Sequence, residues 1–146
     1  MILVGFGVAV WISRWIRSRS LKPGQVHQPR KIYHEEGLYA NKLKDEAGYN
    51  IIKILKIDEY GYHIRIYSNL FHSIPEEIGV KTLYMVGLDK RKISEGFGMG
   101  HVPILKENFE KWTLFLVQQD QVKPEELEGY LLWEASQGGY FGKLTG

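Results

Sequence analysis

Residues 49–69 read YNIIKILKIDEYGYHIRIYSN, and the fold turns on how they are read. From Tyr62 onward the residues alternate. Tyr62, Ile64 and Ile66 fall on one face, and His63, Arg65 and Tyr67 on the other. Side chains two positions apart share a face in a strand and not in a helix. The isoleucine-rich run 49–58, with charged residues interspersed, predicts a strand before it, and Glu59–Gly61 a tight connection between the two. Upstream, GLYANKLK (37–44) predicts a further strand, closed by a turn at Asp45–Gly48. The three make an antiparallel meander.

Working outward, LFHSIPEEIG (70–79) reads as a loop or helical turn, KTLYMVGL (81–88) as a fourth strand and HVPILK (101–106) as a fifth. Two helices are expected after them. ENFEKWTLFL (107–116) sets Phe109, Trp112 and Leu116 at helical spacing. KPEELEGYLLWEAS (123–136) has Pro124 at a first helical position, acids in its first turn, and Leu127, Tyr130 and Leu131 along one side. The fold class is therefore mainly β with α additions. A small antiparallel SH3-like β-barrel is favoured over an open curved sheet carrying the two C-terminal helices on one face.

The segments GLYANK, YNIIKILKID…YHIRIYSN, GHVPILKENFEKW and EELEGYLLW resemble an uncharacterised bacterial domain family of hypothetical proteins, over residues 35–142. The resemblance implies a self-contained domain and carries no activity with it.

The first 17 residues, MILVGFGVAVWISRWIR, raise a different question. No charge occurs before Arg14, and then Arg14, Arg17, Arg19 and Lys22 follow in quick succession. A signal peptide has the reverse order, charge first and apolar run second. Met1–Ile16 would extend about 24 Å as a helix against a hydrocarbon core of roughly 30 Å. Such a helix spans with some bilayer thinning, or packs against partner helices instead. Ile2, Leu3, Val4, Phe6, Val8, Val10, Trp11, Ile12 and Trp15 would make its contacts. The basic cluster sets the orientation of a single-pass helix, with the domain in the cytoplasm. Residues 18–34 read as a linker broken by Pro23-Gly24 and Pro29. The organisation expected is helix 1–17, linker 18–34 and globular domain 35–146.

Charge follows the same division. Residues 1–33 hold six basic groups and no acid, whereas the remaining 113 residues hold 13 basic and 17 acidic groups. The body is thus acidic, which argues against nucleic acid as a partner despite Lys53, Lys56 and Arg65 on adjacent strands. Cysteine is absent, so thiolate chemistry and disulfides are excluded.

No motif in the chain specifies a reaction. EGFGMGH (95–101) lacks the following helix and the lysine of a phosphate-binding loop, and reads as a flexible loop open to a partner. The five histidines have no metal-binding spacing. No catalytic residue, metal or cofactor is assigned. His63, Arg65, Tyr67, Phe97, Met99 and His101 are the expected binding surface. Together these features predict a non-enzymatic protein-interaction module held at the inner face of a bacterial membrane, with an immunity-like, toxin-neutralising role as one version. The alternatives are a soluble cytoplasmic oligomer assembled through its N-terminal helices, or an enzyme with a dispersed site at His63, Arg65, His72 and His101.

Overall fold

A computed structural model describes residues 32–44, 47–90, 92 and 94–142. The helix expected at 1–17 and nearly all of the linker lie outside the described residues. Five antiparallel strands form one open sheet in the order β4-β3-β2-β1-β5. They are β1 (Gly37–Lys42), β2 (Tyr49–Ile57), β3 (Gly61–Phe71), β4 (Met99–Leu105) and β5 (Leu114–Gln119). The meander β1–β2–β3 forms as its alternation predicts, with Ile54 opposite Ile64 and Lys53 opposite Arg65.

The sheet does not close into a barrel, because β4 and β5 are its two edges and do not pair with each other. Both of its faces are covered instead. One face packs Ile52, Ile54, Tyr62, Ile64, Ile66, Val102 and Ile104 beneath Tyr33 and Phe109. Tyr33 meets Tyr39, Tyr62 and Phe109 edge-on at centroid distances of 5.6, 5.8 and 5.3 Å. The packed domain therefore starts before residue 35, and Tyr33 belongs to the core. The opposite face packs Leu38, Ala40, Ile51, Tyr67 and Ile78.

Two expected elements take another form. ENFEKWTLFL is not a helix: a single helical turn, Lys106–Phe109, ends at Glu110, and Leu114–Gln119 pairs antiparallel with β1 as the edge strand β5. The run Thr-Leu-Phe-Leu-Val suits a strand, and an available edge on β1 decides against the helical spacing. Among the described residues there is one C-terminal helix, α1 (Glu128–Ala135), entered through a 3-10 turn at Pro124–Leu127. Of its apolar side, Tyr130 is buried while Leu131 is exposed. The Glu126 carboxylate accepts from the backbone N–H of Lys123 at 2.9 Å, which caps that turn.

KTLYMVGL is extended yet joins no ladder. After a 3-10 turn at Val80–Thr82, its N–H groups go to side chains of β3, Tyr84 N–H to Asn69 Oδ1 and Val86 N–H to Ser68 Oγ, while the Tyr84 and Val86 carbonyls accept from the N–H groups of Ser68 and Gly98. The glycine loop 95–100 is pinned against the same place. Gly96 N–H donates to Ser68 O, and a Cβ at Gly98 would stand 2.7 Å from Met85 Cα. Glycine is there for close backbone approach.

Candidate functional site

The hairpin between β2 and β3 builds the most elaborate polar arrangement in the domain. Asp58 ends the hairpin as an Asx turn, its Oδ1 accepting from the N–H groups of Tyr60 and Gly61 at 2.9 and 2.8 Å. That turn aims Oδ2 back along the strand, where His63 Nε2 and the Tyr140 hydroxyl each lie 2.6 Å away. His63 Nδ1 in turn lies 2.9 Å from His101 Nε2, and the two rings stack at 6°. Burial alone would raise the Asp58 carboxyl. The hydrogen bonds from Tyr140, His63, Gly61 and Tyr60 outweigh it and hold the group at about 2. The ionised Asp58 accepts the Nε2–H of His63, and a second hydrogen bond joins His63 Nδ1 to His101 Nε2. Burial, followed by repulsion from His63, depresses His101 to about 4 and keeps it neutral at pH 7.

This chain is closed in by aromatics. Trp133, Tyr130 and Tyr140 surround the His63 ring at 4.5, 4.8 and 5.8 Å. His63 has no exposed surface, and Gly129 of α1 sits so close over His101 that a Cβ there would come within 2.6 Å of the His101 Cβ. Both ring nitrogens of His63 are already engaged. Among the described residues no group of three His, Asp or Glu side chains is arranged to hold a metal. The arrangement holds protons in fixed places and fastens α1 and the C-terminal segment onto the sheet.

A second polar knot lies beside it. Lys53 is fully buried on β2, and its Nζ donates to Asp120 Oδ2 at 2.6 Å, Glu126 Oε2 at 2.9 Å and the Gln121 carbonyl at 3.0 Å. Arg65 Nη1 stands 3.8 Å from Glu126 Oε1. Lys53 and Arg65, which could have met phosphates, instead meet internal carboxylates.

Comparison with protein-family models, curated proteins and solved structures finds no match.

The expected binding residues divide between the two faces. His63, Arg65, Tyr67 and His101 lie on the face covered by α1 and the Pro124–Leu127 turn. Phe97 and Met99 line an open apolar groove of about 500 Å³ on the other face, with Ile66, Val102, Trp112 and Phe141. His72 is exposed just past the end of β3, nine residues from His63, or about 30 Å along an extended strand. The dispersed four-residue site is thus not brought together. Sequence reading missed the Asp58 and Tyr140 partners and the Lys53 carboxylates. Asp58 had a signal: an acid at a hairpin turn, five residues before a histidine, returns to that histidine. Tyr140, Asp120 and Glu126 had none, because only packing brings the C-terminal segment to this face.

Proposed function

We propose that the chain is a non-enzymatic protein-interaction module that takes an extended strand of a partner protein onto β5, while residues 1–17 tether it at the inner face of a bacterial membrane. The observation that carries this reading is the edge itself. β5 reads LFLVQQ, without charge or proline, and pairs only with β1 among the described residues. Phe115 and Leu116 are 41% and 51% exposed. Open edges are ordinarily blunted by charge, proline or a covering element, because unpaired N–H and C=O groups recruit further strands. The tether is supported by the uncharged run before Arg14 and the basic cluster after it.

The experiment is affinity capture of full-length protein from its host membrane fraction, beside a Phe115→Lys/Leu116→Lys variant of equal melting temperature. The reading expects one protein retained in stoichiometric yield by the parent and lost by the variant. Identical retained sets would remove β5 from the interface. Sedimentation of the purified parent shows whether that partner is a second copy of the chain.

A further inference from the structure

The apolar groove on the Tyr33 face holds a feature that β5 does not explain. Its wall is hydrocarbon and aromatic, from Ile66, Phe97, Met99, Val102, Trp112 and Phe141. Its volume, about 500 Å³, is that of a small-molecule site rather than a packing defect. Met99 and Phe141 at its mouth are 37% and 61% exposed, so an occupant would cover apolar surface now facing water. One polar side chain interrupts the wall. The Asn108 Nδ2 group is buried against Gly142 with no acceptor.

Trp112 has a second role. It also lines a neighbouring pocket of about 270 Å³, formed with Asn41, Lys42, Lys44, Lys111 and Thr113. Lys44 and Lys111 line this pocket and no acid does, on a domain body that is acidic as a whole, whereas the Lys42 ammonium lies over the Tyr49 ring at 5.6 Å. Glu110, the acid next to Lys111, bonds to Tyr62. Apolar groove and cationic pocket therefore meet at Trp112.

We propose that groove and pocket form one site for a single-chain amphiphilic carboxylate. The chain lies along Val102, Phe97 and Phe141. The head group passes Trp112, and the carboxylate sits between Lys44 and Lys111. Charge complementarity selects an anion over a neutral amphiphile of equal length. The proposal does not depend on the β5 reading, since the two surfaces share no residue.

The test is photolabelling of the full chain in membranes with diazirine-tipped dodecanoate, and in parallel with diazirine-tipped dodecanol. Adducts are mapped by mass spectrometry. Labelling of the exposed α1 residues Leu131 and Leu132 reports non-specific surface reaction of each probe and serves as the internal reference. Relative to that reference, dodecanoate should label segments 97–112 and 138–142 roughly tenfold more than dodecanol does. Lys44→Glu/Lys111→Glu, at two exposed positions, should bring dodecanoate down to the dodecanol level. Met99→Trp, which fills the mouth, should remove groove labelling by both. Equal labelling by the two probes, or labelling unmoved by the lysine changes, overturns the head-group assignment. Groove labelling no stronger than on the rest of the surface overturns the site as a whole.

Discussion

Ile64 and Arg65 are neighbours with opposite consequences. Ile64 has no exposed surface and sits between Ile54 and Val102, so Ile64→Asp would bury an unpaired carboxylate in hydrocarbon. That costs several kcal/mol, against a total stability of about 5–15 kcal/mol, and the domain should be unfolded by circular dichroism at 25 °C. Arg65→Ala loses a bond to the Gly100 carbonyl and a long pairing with Glu126, and should keep the fold at a cost of about 1–2 kcal/mol. Equal melting of the two variants would mean the strand phase is wrong. His101 carries the pH dependence. Its folded value of about 4 lies below the ordinary 6.5, so the unfolded chain takes up a proton first as pH falls. Stability is complete above pH 6.5 and drains between 6.5 and 4. Asp58, ordinarily 3.8 and held at about 2, continues the loss between those two values. Because His101 is only partly buried, screening discounts its effect to about 1–2 kcal/mol, or roughly 5 °C in melting temperature between about pH 7 and about pH 4.5. His101→Gln, which can still hydrogen-bond to His63 but cannot titrate, should flatten that slope. An unchanged slope would assign it elsewhere.

At the scale of elements, the face opposite Tyr33 combines an apolar cluster around Leu38, Ile51 and Tyr67 with polar joints. Lys53 ties β2 to Asp120 and Glu126, which carry the chain into the Pro124–Leu127 turn and α1. Lys53→Met leaves two carboxylates facing each other with side chains 19% and 10% exposed. Breaking one side of a buried pair costs about 3–5 kcal/mol, and adding Asp120→Asn and Glu126→Gln should return most of it. Chemical denaturation of the single and triple variants checks this. No recovery in the triple variant would mean that Lys53 acts by packing and not by charge. Gly129 is the corresponding joint on α1. Gly129→Val cannot be seated over His101, so α1 should lift, and hydrogen exchange at the Tyr130–Ser136 amides should accelerate while β2 and β3 stay protected. Unchanged exchange in α1 would place the helix farther from the histidine pair.

For the whole molecule, the boundary of the domain is a sharp quantity. A chain of residues 33–142 should melt close to the parent, whereas 35–142 loses the Tyr33 ring from its contacts with Tyr39, Tyr62 and Phe109. The loss is about 3 kcal/mol, less whatever is regained by not burying the unpaired Tyr33 hydroxyl, and corresponds to roughly 10 °C. Melting temperatures of the two chains that agree within error would return Tyr33 to the linker.

The meander was legible in the sequence because strand alternation and hairpin turns are local: Tyr62, Ile64 and Ile66 show their common face without reference to anything else. HVPILK was legible for the same reason. The destination of TLFLV was not, since the same residues satisfy a helical spacing and a strand, and only the free edge of β1 chose between them. Likewise Lys53 reads as a surface cation in any local window. Its burial depends on Asp120 and Glu126, 67 and 73 residues later. The joining of Asp58, His63, His101 and Tyr140, the separation of Phe97 and Met99 from the histidines onto the other face, and the choice of an open sheet over a barrel are all set by long-range packing. Local periodicity determines which residues share a face. Only the closing of the chain upon itself determines what that face meets.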